Sequence, residues 1–183
     1  MHPYKNHYHN VVQKDLILCN NVKTASKLPM IKKMSVYLGN ERADSNYIVS
    51  YFAGLKIISG QTPLLIKKNT FSQLGGNRDI VGGKVTLRGY RPYSFIYKLL
   101  FDVFPGIRQF DGLKLPAHSS IYCFVLKDIF VFEELIPLFP YFEDLSHLQC
   151  QFYFNTNNRL DILFLVIAYN YVLFPKLKIV KRR

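Results

Sequence analysis

The chain is predicted to fold as an α+β sandwich: an antiparallel sheet with helices packed on one face and the other face open. Two observations predict it. Short runs with polarity alternating every second residue, such as MIKKMSVYLG at 30–39, interleave with stretches whose apolar residues recur every three or four positions. The interleaving follows no strict βαβ repeat and leaves no helix-free half, which argues against a doubly wound parallel sheet.

Val11 to Leu18 reads as an opening helix, closed by the polar turn at Asn20 and Asn21. Pro29 leads into the first strand. There Met30, Lys32, Met34, Val36 and Leu38 fall on one face, and Ile31, Lys33, Ser35 and Tyr37 on the other. Asp44 or Ser45 caps a helix through Ile58, with Ile48, Phe52, Leu55 and Ile58 as one apolar stripe. Thr62 to Ile66 and Lys84 to Leu87 are short strands. Between them Gly75, Gly76, Gly82 and Gly83 allow sharp turning and close backbone approach. Tyr93 to Val103 is a second amphipathic helix, ended by Pro105 and Gly106.

Downstream, SSIYCFVL, IFVFEEL and LQCQFYFNT read as strands, with a helical turn at Phe142 to Ser146 between the last two. Asn157 or Asn158 caps a closing helix from Arg159 to about Asn170, with Asp161 in its first turn. The window 160–175 is the most apolar of the chain and precedes the basic tail KLKIVKRR. Asp161, Asn170 and Pro175 limit it to roughly fifteen residues where a span needs about twenty, so it reads as a buried helix rather than a tail anchor.

Nothing in the 183 residues resembles a linker or repeat, so one domain over 1–183 is expected, with 176–183 as a basic tail. The formal charge of +12 points to a polyanionic partner. Residues 1–101 hold 15 of the 24 Lys and Arg but 4 of the 12 Asp and Glu, whereas 102–161 hold 8 acids against 4 bases. One part of the molecule therefore faces nucleic acid and another need not.

Catalysis is not indicated, and no catalytic residue is assigned. GGNRDIVGGKVT imitates a P-loop, but Arg78 occupies the first glycine position and Val85 the hydroxyl position of that motif. Glu133 and Glu134 would point to opposite faces of a strand. Cys19, Cys123 and Cys150 have no CxxC spacing and read as buried, reduced thiols. The five histidines lack partners at ligand spacing, so neither a metal nor a cofactor is expected.

The N-terminus carries neither a secretory h-region nor an Arg- and Ser-rich presequence. Fifteen Phe, thirteen Tyr and no Trp fit an A+T-rich coding sequence.

The most informative stretch is Ile57 to Gly89, where two apolar runs flank a basic, glycine-rich loop. Cations supply sequence-independent attraction, while Gln and Thr exchange hydrogen bonds with ribose 2′-hydroxyls and base edges. In order, SGQTPLLIKK (59–68), GGKVTLRG (82–89) and FPGIRQFDGL (104–113) resemble the core signature of the universal large-subunit ribosomal protein five family, which binds 5S rRNA. The likeness is collinear from about His7 to about Asn155, with LPMIKKMSVYLGN at the family's first strand and HYHNVV at its opening helix.

The resemblance implies a non-catalytic scaffold seating 5S rRNA in the central protuberance, within reach of large-subunit rRNA and neighbouring ribosomal proteins. Lys32, Lys33, Gln61, Thr62, Lys84, Thr86 and Arg88 would lie on or beside the RNA-clasping face, with Lys67 and Lys68 serving nearby phosphates. Tyr37 stands where the family commonly has asparagine, exchanging a polar contact for a stacking one. The loop Thr70 to Gly83, with Phe71, Gln73, Gly75, Gly76, Asn77 and Arg78, would reach toward P-site tRNA. It is about two residues short and keeps chiefly Arg78 of the family's basic residues. A contact to small-subunit protein thirteen is implied on the side of Phe104 to Leu113.

The chain departs from the family in LKLPAHSSIYC, which lacks a glycine-rich, arginine-bearing turn, and in HLQCQFYF, which lacks the RGL glycine. A mitochondrial ribosome is the expected location, with a plastid or a bacterial cytoplasm as alternatives. No homo-oligomer is expected. The second reading is a free-standing organellar RNA-binding factor acting on transcripts or tRNA.

Overall fold

The structure, a computed structural model, describes residues 3–20, 24–39, 45–67, 80–108, 110, 112–113, 119–145 and 147–169. Helix α1 (Pro3–His7), a π-helical turn (Tyr8–Val12) and α2 (Gln13–Asn20) open the chain. Strand β1 (Ile31–Gly39), helix α3 (Ser45–Ser59) and strands β2 (Leu64–Lys67) and β3 (Ile80–Leu87) follow. Helix α4 (Arg91–Lys98) passes through a second π turn (Leu99–Val103) into α5 (Phe104–Gly106). Strand β4 (Ile121–Leu126), a 3-10 helix (Glu133–Leu138), α6 (Phe139–Phe142), β5 (Leu148–Phe154) and α7 (Arg159–Tyr169) complete it. The strands form one antiparallel sheet in the order β2-β3-β1-β5-β4, and with the helices this is the expected α+β class.

Two compact units can be described separately. One comprises residues 34–87 and 123–151. Here α3 packs on one side of β1 and β3. A side chain added at Gly83 would come within 2.8 Å of Leu55 Cδ1, and one at Gly54 would meet Leu38 and Leu145. Tyr51, Leu55 and Ile58 form the buried stripe of α3, while the expected Ile48 and Phe52 are half-buried. The helix stops at Gly60, whose φ of 65° suits a left-handed C-terminal cap and whose N–H donates to the Lys56 carbonyl at 2.9 Å. The Tyr47 hydroxyl donates to the Asp144 carbonyl, and Ser50 Oγ donates to that of Tyr141 at 3.2 Å.

The IFVFEEL segment corrects the sequence reading. It forms turns and a 3-10 helix, with its buried residues Ile129, Phe132 and Leu135 spaced by three. Backbone bonds of the i+3 type run from Phe132 N–H to Ile129 and from Leu135 N–H to Phe132, and Asp128 Oδ1 accepts the Phe130 N–H at 2.9 Å. The local Asp turn and the prolines at 137 and 140 outweigh the β propensity of the aromatic run. Glu133 and Glu134 are both exposed.

The other unit comprises residues 1–33, 88–122 and 152–183. Tyr8 is buried and its hydroxyl donates to the Pro29 carbonyl at 2.8 Å. Burial, with a smaller contribution from Tyr93, pushes the Tyr8 phenol up to about 12. Asn155 ties down the chain before β1: its Nδ2 donates to Leu28 O at 2.6 Å and its Oδ1 accepts the Met30 N–H at 2.8 Å. Tyr93, Ile96, Leu100, Val103 and Phe104 line the buried side of α4 and its continuation. Helix α7 buries Ile162 and Leu165 while Leu160 is exposed. No helix among the described residues is long and apolar enough to cross a membrane.

Cysteine burial also departs from expectation. Cys150 is buried, and burial pushes its thiol up, whereas Cys19 and Cys123 are exposed; all three are free. Cys123 lies on strand β4, where odd-numbered positions are exposed and even-numbered ones buried.

Candidate nucleic-acid interface

The two faces of β1 and β3 differ in chemistry because paired residues of an antiparallel ladder point the same way. Met34 opposes Leu87, Val36 opposes Val85 and Leu38 opposes Gly83 on the face that α3 covers. Ser35 opposes Thr86, Tyr37 opposes Lys84 and Gly39 opposes Gly82 on the other. The open face thus carries hydroxyls, a phenol and an ammonium. Lys84 Nζ lies 5.0 Å from the centroid of the Tyr37 ring, within cation–π range. On β5, the half-buried Gln149 and Gln151 alternate with the buried Leu148 and Cys150, and Gln149 lines a pocket together with Tyr37 and Gly39.

Ser35 is fully buried, and its Oγ finds no hydrogen-bond partner among the described residues. Gln61 Oε1 shares that condition. The Gln61 backbone N–H donates to Ser59 Oγ at 3.3 Å, and Ser59 Oγ donates to the Leu55 carbonyl at 2.6 Å, so the turn after α3 fixes the residue. An orphaned buried oxygen costs about 1–3 kcal/mol.

The expected contact residues do not all share one setting. Tyr37, Lys84 and Thr86 are half-buried on the open face, and Gln61 is half-buried at the turn. Lys33 is half-buried, with Nζ 4.3 Å from the centroid of the Tyr153 ring. Lys32 is exposed and has the parity of the buried Met34, Val36 and Leu38, so the strand does not aim it with Lys33. Thr62, Lys67 and Arg88 are exposed beside or at the ends of strands.

Lys68 and the loop residues Phe71, Gln73, Gly75, Gly76, Asn77 and Arg78 lie outside the described residues. So does the tail 176–183. The loop expected over 70–83 is shortened at its end, because Ile80 to Gly83 already belong to β3. No cluster of His, Cys, Asp and Glu that could hold a metal occurs among the described residues.

Close approach explains two glycines. A Cβ at Gly39 would lie 2.5 Å from the Val81 carbonyl oxygen, and one at Gly82 would lie 2.5 Å from that of Leu38. The β1–β3 ladder closes at this end only because neither residue carries a side chain.

Similarity to known proteins gives the family. Large ribosomal subunit protein uL5 of Mycoplasma pneumoniae is 32% identical over 143 residues, covering 74% of this chain and 79% of that protein. The chain belongs to the uL5 family. The uL5m protein of Reclinomonas americana is 30% identical over 141 residues, covering 74% and 78% of the two chains. The uL5c protein of Helicosporidium is 33% identical over 122 residues, covering 63% and 67%. No protein-family model matches the chain.

Sequence reasoning names Tyr37, Lys84 and Thr86, which the ladder brings onto one face, but gives no role to the residues beside them. Ser35 was placed on the correct face without a role. Gln149 and Gln151 carried a signal in LQCQFYF, where an amide stands at every second position. The Tyr153 partner of Lys33 had no sequence signal, since the pair spans 120 positions.

Proposed function

We propose that the chain is a structural, non-catalytic constituent of the large ribosomal subunit that binds 5S rRNA through the open face of its sheet. The in-register pairing of Tyr37 with Lys84, with the half-buried Thr86 on the same face and opposite an apolar face sealed by α3, carries this reading. The Thr86 hydroxyl meets a 2′-hydroxyl, the aromatic ring stacks, and the ammonium neutralises phosphate. The Gln61 carboxamide, half-buried at the turn after α3, adds a directional contact at the edge. Large-subunit rRNA and adjoining ribosomal proteins complete the surroundings.

The finer assignments follow the family pattern. On that pattern the loop expected over Thr70 to Gly83 would serve P-site tRNA, with Arg78 as its cation, and the side of Phe104 to Leu113 would serve small-subunit protein thirteen. Relatives of bacterial, plastid and mitochondrial types all match. The Phe- and Tyr-rich, Trp-free composition favours a mitochondrial ribosome and an organelle-encoded chain.

Sedimentation tests the reading against a free-standing RNA-binding factor. A constituent co-sediments with the large subunit at one copy per particle and stays bound after a high-salt wash. A factor sediments mainly off the ribosome.

A further inference from the structure

At the Gly39–Gly82 end of the β1–β3 ladder the structure has a pocket of about 340 Å³ that no predicted contact accounts for. Its lining includes Tyr37, Gly39, Gly82, Ile66, His147 and Gln149. This is the small end of ligand-sized clefts, which run from roughly 300 to 1,000 Å³. We infer that this pocket receives a single unstacked nucleobase of the RNA bound on the open face. The inference rests on that face being the RNA surface.

Four features fit a base. The aromatic ring of Tyr37 and the aliphatic Ile66 supply surfaces on which a planar ring stacks. Gly39 and Gly82 are glycines by steric necessity, so the flat group can lie against the main chain without meeting a Cβ. The Gln149 carboxamide offers both donors and an acceptor for a base edge. His147 Nδ1 lies 3.3 Å from the Lys127 carbonyl, which can only accept. That contact places the proton on Nδ1 and, in the neutral ring, leaves Nε2 as an acceptor for an exocyclic amine.

Charge favours RNA over an acidic or neutral peptide. No carboxylate lines the pocket among the described residues. Lys84, held against the Tyr37 ring, sets a cation beside the pocket for the phosphate that carries the base.

The test is a nucleotide-resolved footprint of the full chain on the 5S rRNA of Mycoplasma pneumoniae, with affinities measured in parallel. Wild type is expected to protect the base of one unpaired nucleotide beyond its backbone footprint. Ile66→Trp, which fills the pocket, and Gln149→Leu, which keeps the side-chain volume, should each lose that protection and weaken binding roughly tenfold. The remaining footprint should persist, which also verifies that the variants fold. An abasic site at the protected nucleotide should weaken wild type by a similar factor and leave Ile66→Trp unaffected.

Unchanged footprints and affinities in both variants, with preference for 5S rRNA intact, overturn the base pocket and leave the RNA face standing. Loss of all discrimination between 5S rRNA and a length-matched hairpin in wild type overturns the RNA face, and the pocket with it.

Discussion

Lys84 on β3 faces Tyr37 on β1 directly across the ladder, and its ammonium sits 5.0 Å from the centre of the tyrosine ring. The pairing holds a cation over the open face instead of letting a long side chain sweep through solvent. Lys84→Gln should weaken binding to RNA of any sequence and lower the slope of log affinity against log salt by about one. Tyr37→Phe keeps the ring and should retain both quantities, whereas Tyr37→Ala should lose affinity by about 1–3 kcal/mol. Filter binding across a salt series separates the three variants.

Gly82→Ala and Gly39→Ala each force a Cβ to within 2.5 Å of a carbonyl oxygen on the paired strand. Backbone cannot give way as a rotamer can, so each should destabilise by about 1–3 kcal/mol in urea unfolding. Gly83→Ala meets the end of the Leu55 side chain at 2.8 Å and should cost less.

Asn155→Leu removes two side-chain hydrogen bonds to the segment before β1 and leaves the Leu28 carbonyl and Met30 N–H to find other partners. A loss of about 2–3 kcal/mol is expected by the same unfolding assay. Asn155→Asp should be no better, because a carboxylate cannot donate to Leu28.

Tyr8 makes stability fall in alkali. Its folded pKa of about 12 lies above the 10.0 of a free tyrosine. The unfolded chain therefore loses this proton first, and the contribution present below pH 10 disappears as pH rises toward 12. Tyr8→Phe should flatten stability against pH in that window, measured by chemical unfolding at successive pH values. At neutral pH it should cost about 1 kcal/mol for the hydrogen bond to Pro29.

The fold was legible where one periodicity dominated. The two-residue alternation of MIKKMSVYLG placed Tyr37 on the correct face, and α3 and α7 begin within a residue or two of their polar signals. It failed at 129–135, where a spacing of three among bulky apolar residues imitates a strand until the prolines and the Asp128 turn are given their weight. Strand β3 begins four residues before its predicted start because Gly82 and Gly83 resemble loop residues, although one is there for backbone approach and the other for Leu55. The site was legible as residue types within motifs. The opposition of Ser35 to Thr86 and the burial of Ser35 depend on register, which no single-strand pattern encodes.

On the proposed reading, the open face discriminates 5S rRNA by more than charge. The most direct measurement is the ratio of affinities of the full chain for 5S rRNA and a length-matched hairpin, followed as salt rises. A ratio that persists or grows, and that collapses in a Gln61→Leu, Thr86→Val double variant, is the predicted result. Equal, steeply salt-sensitive binding to both RNAs would contradict the account.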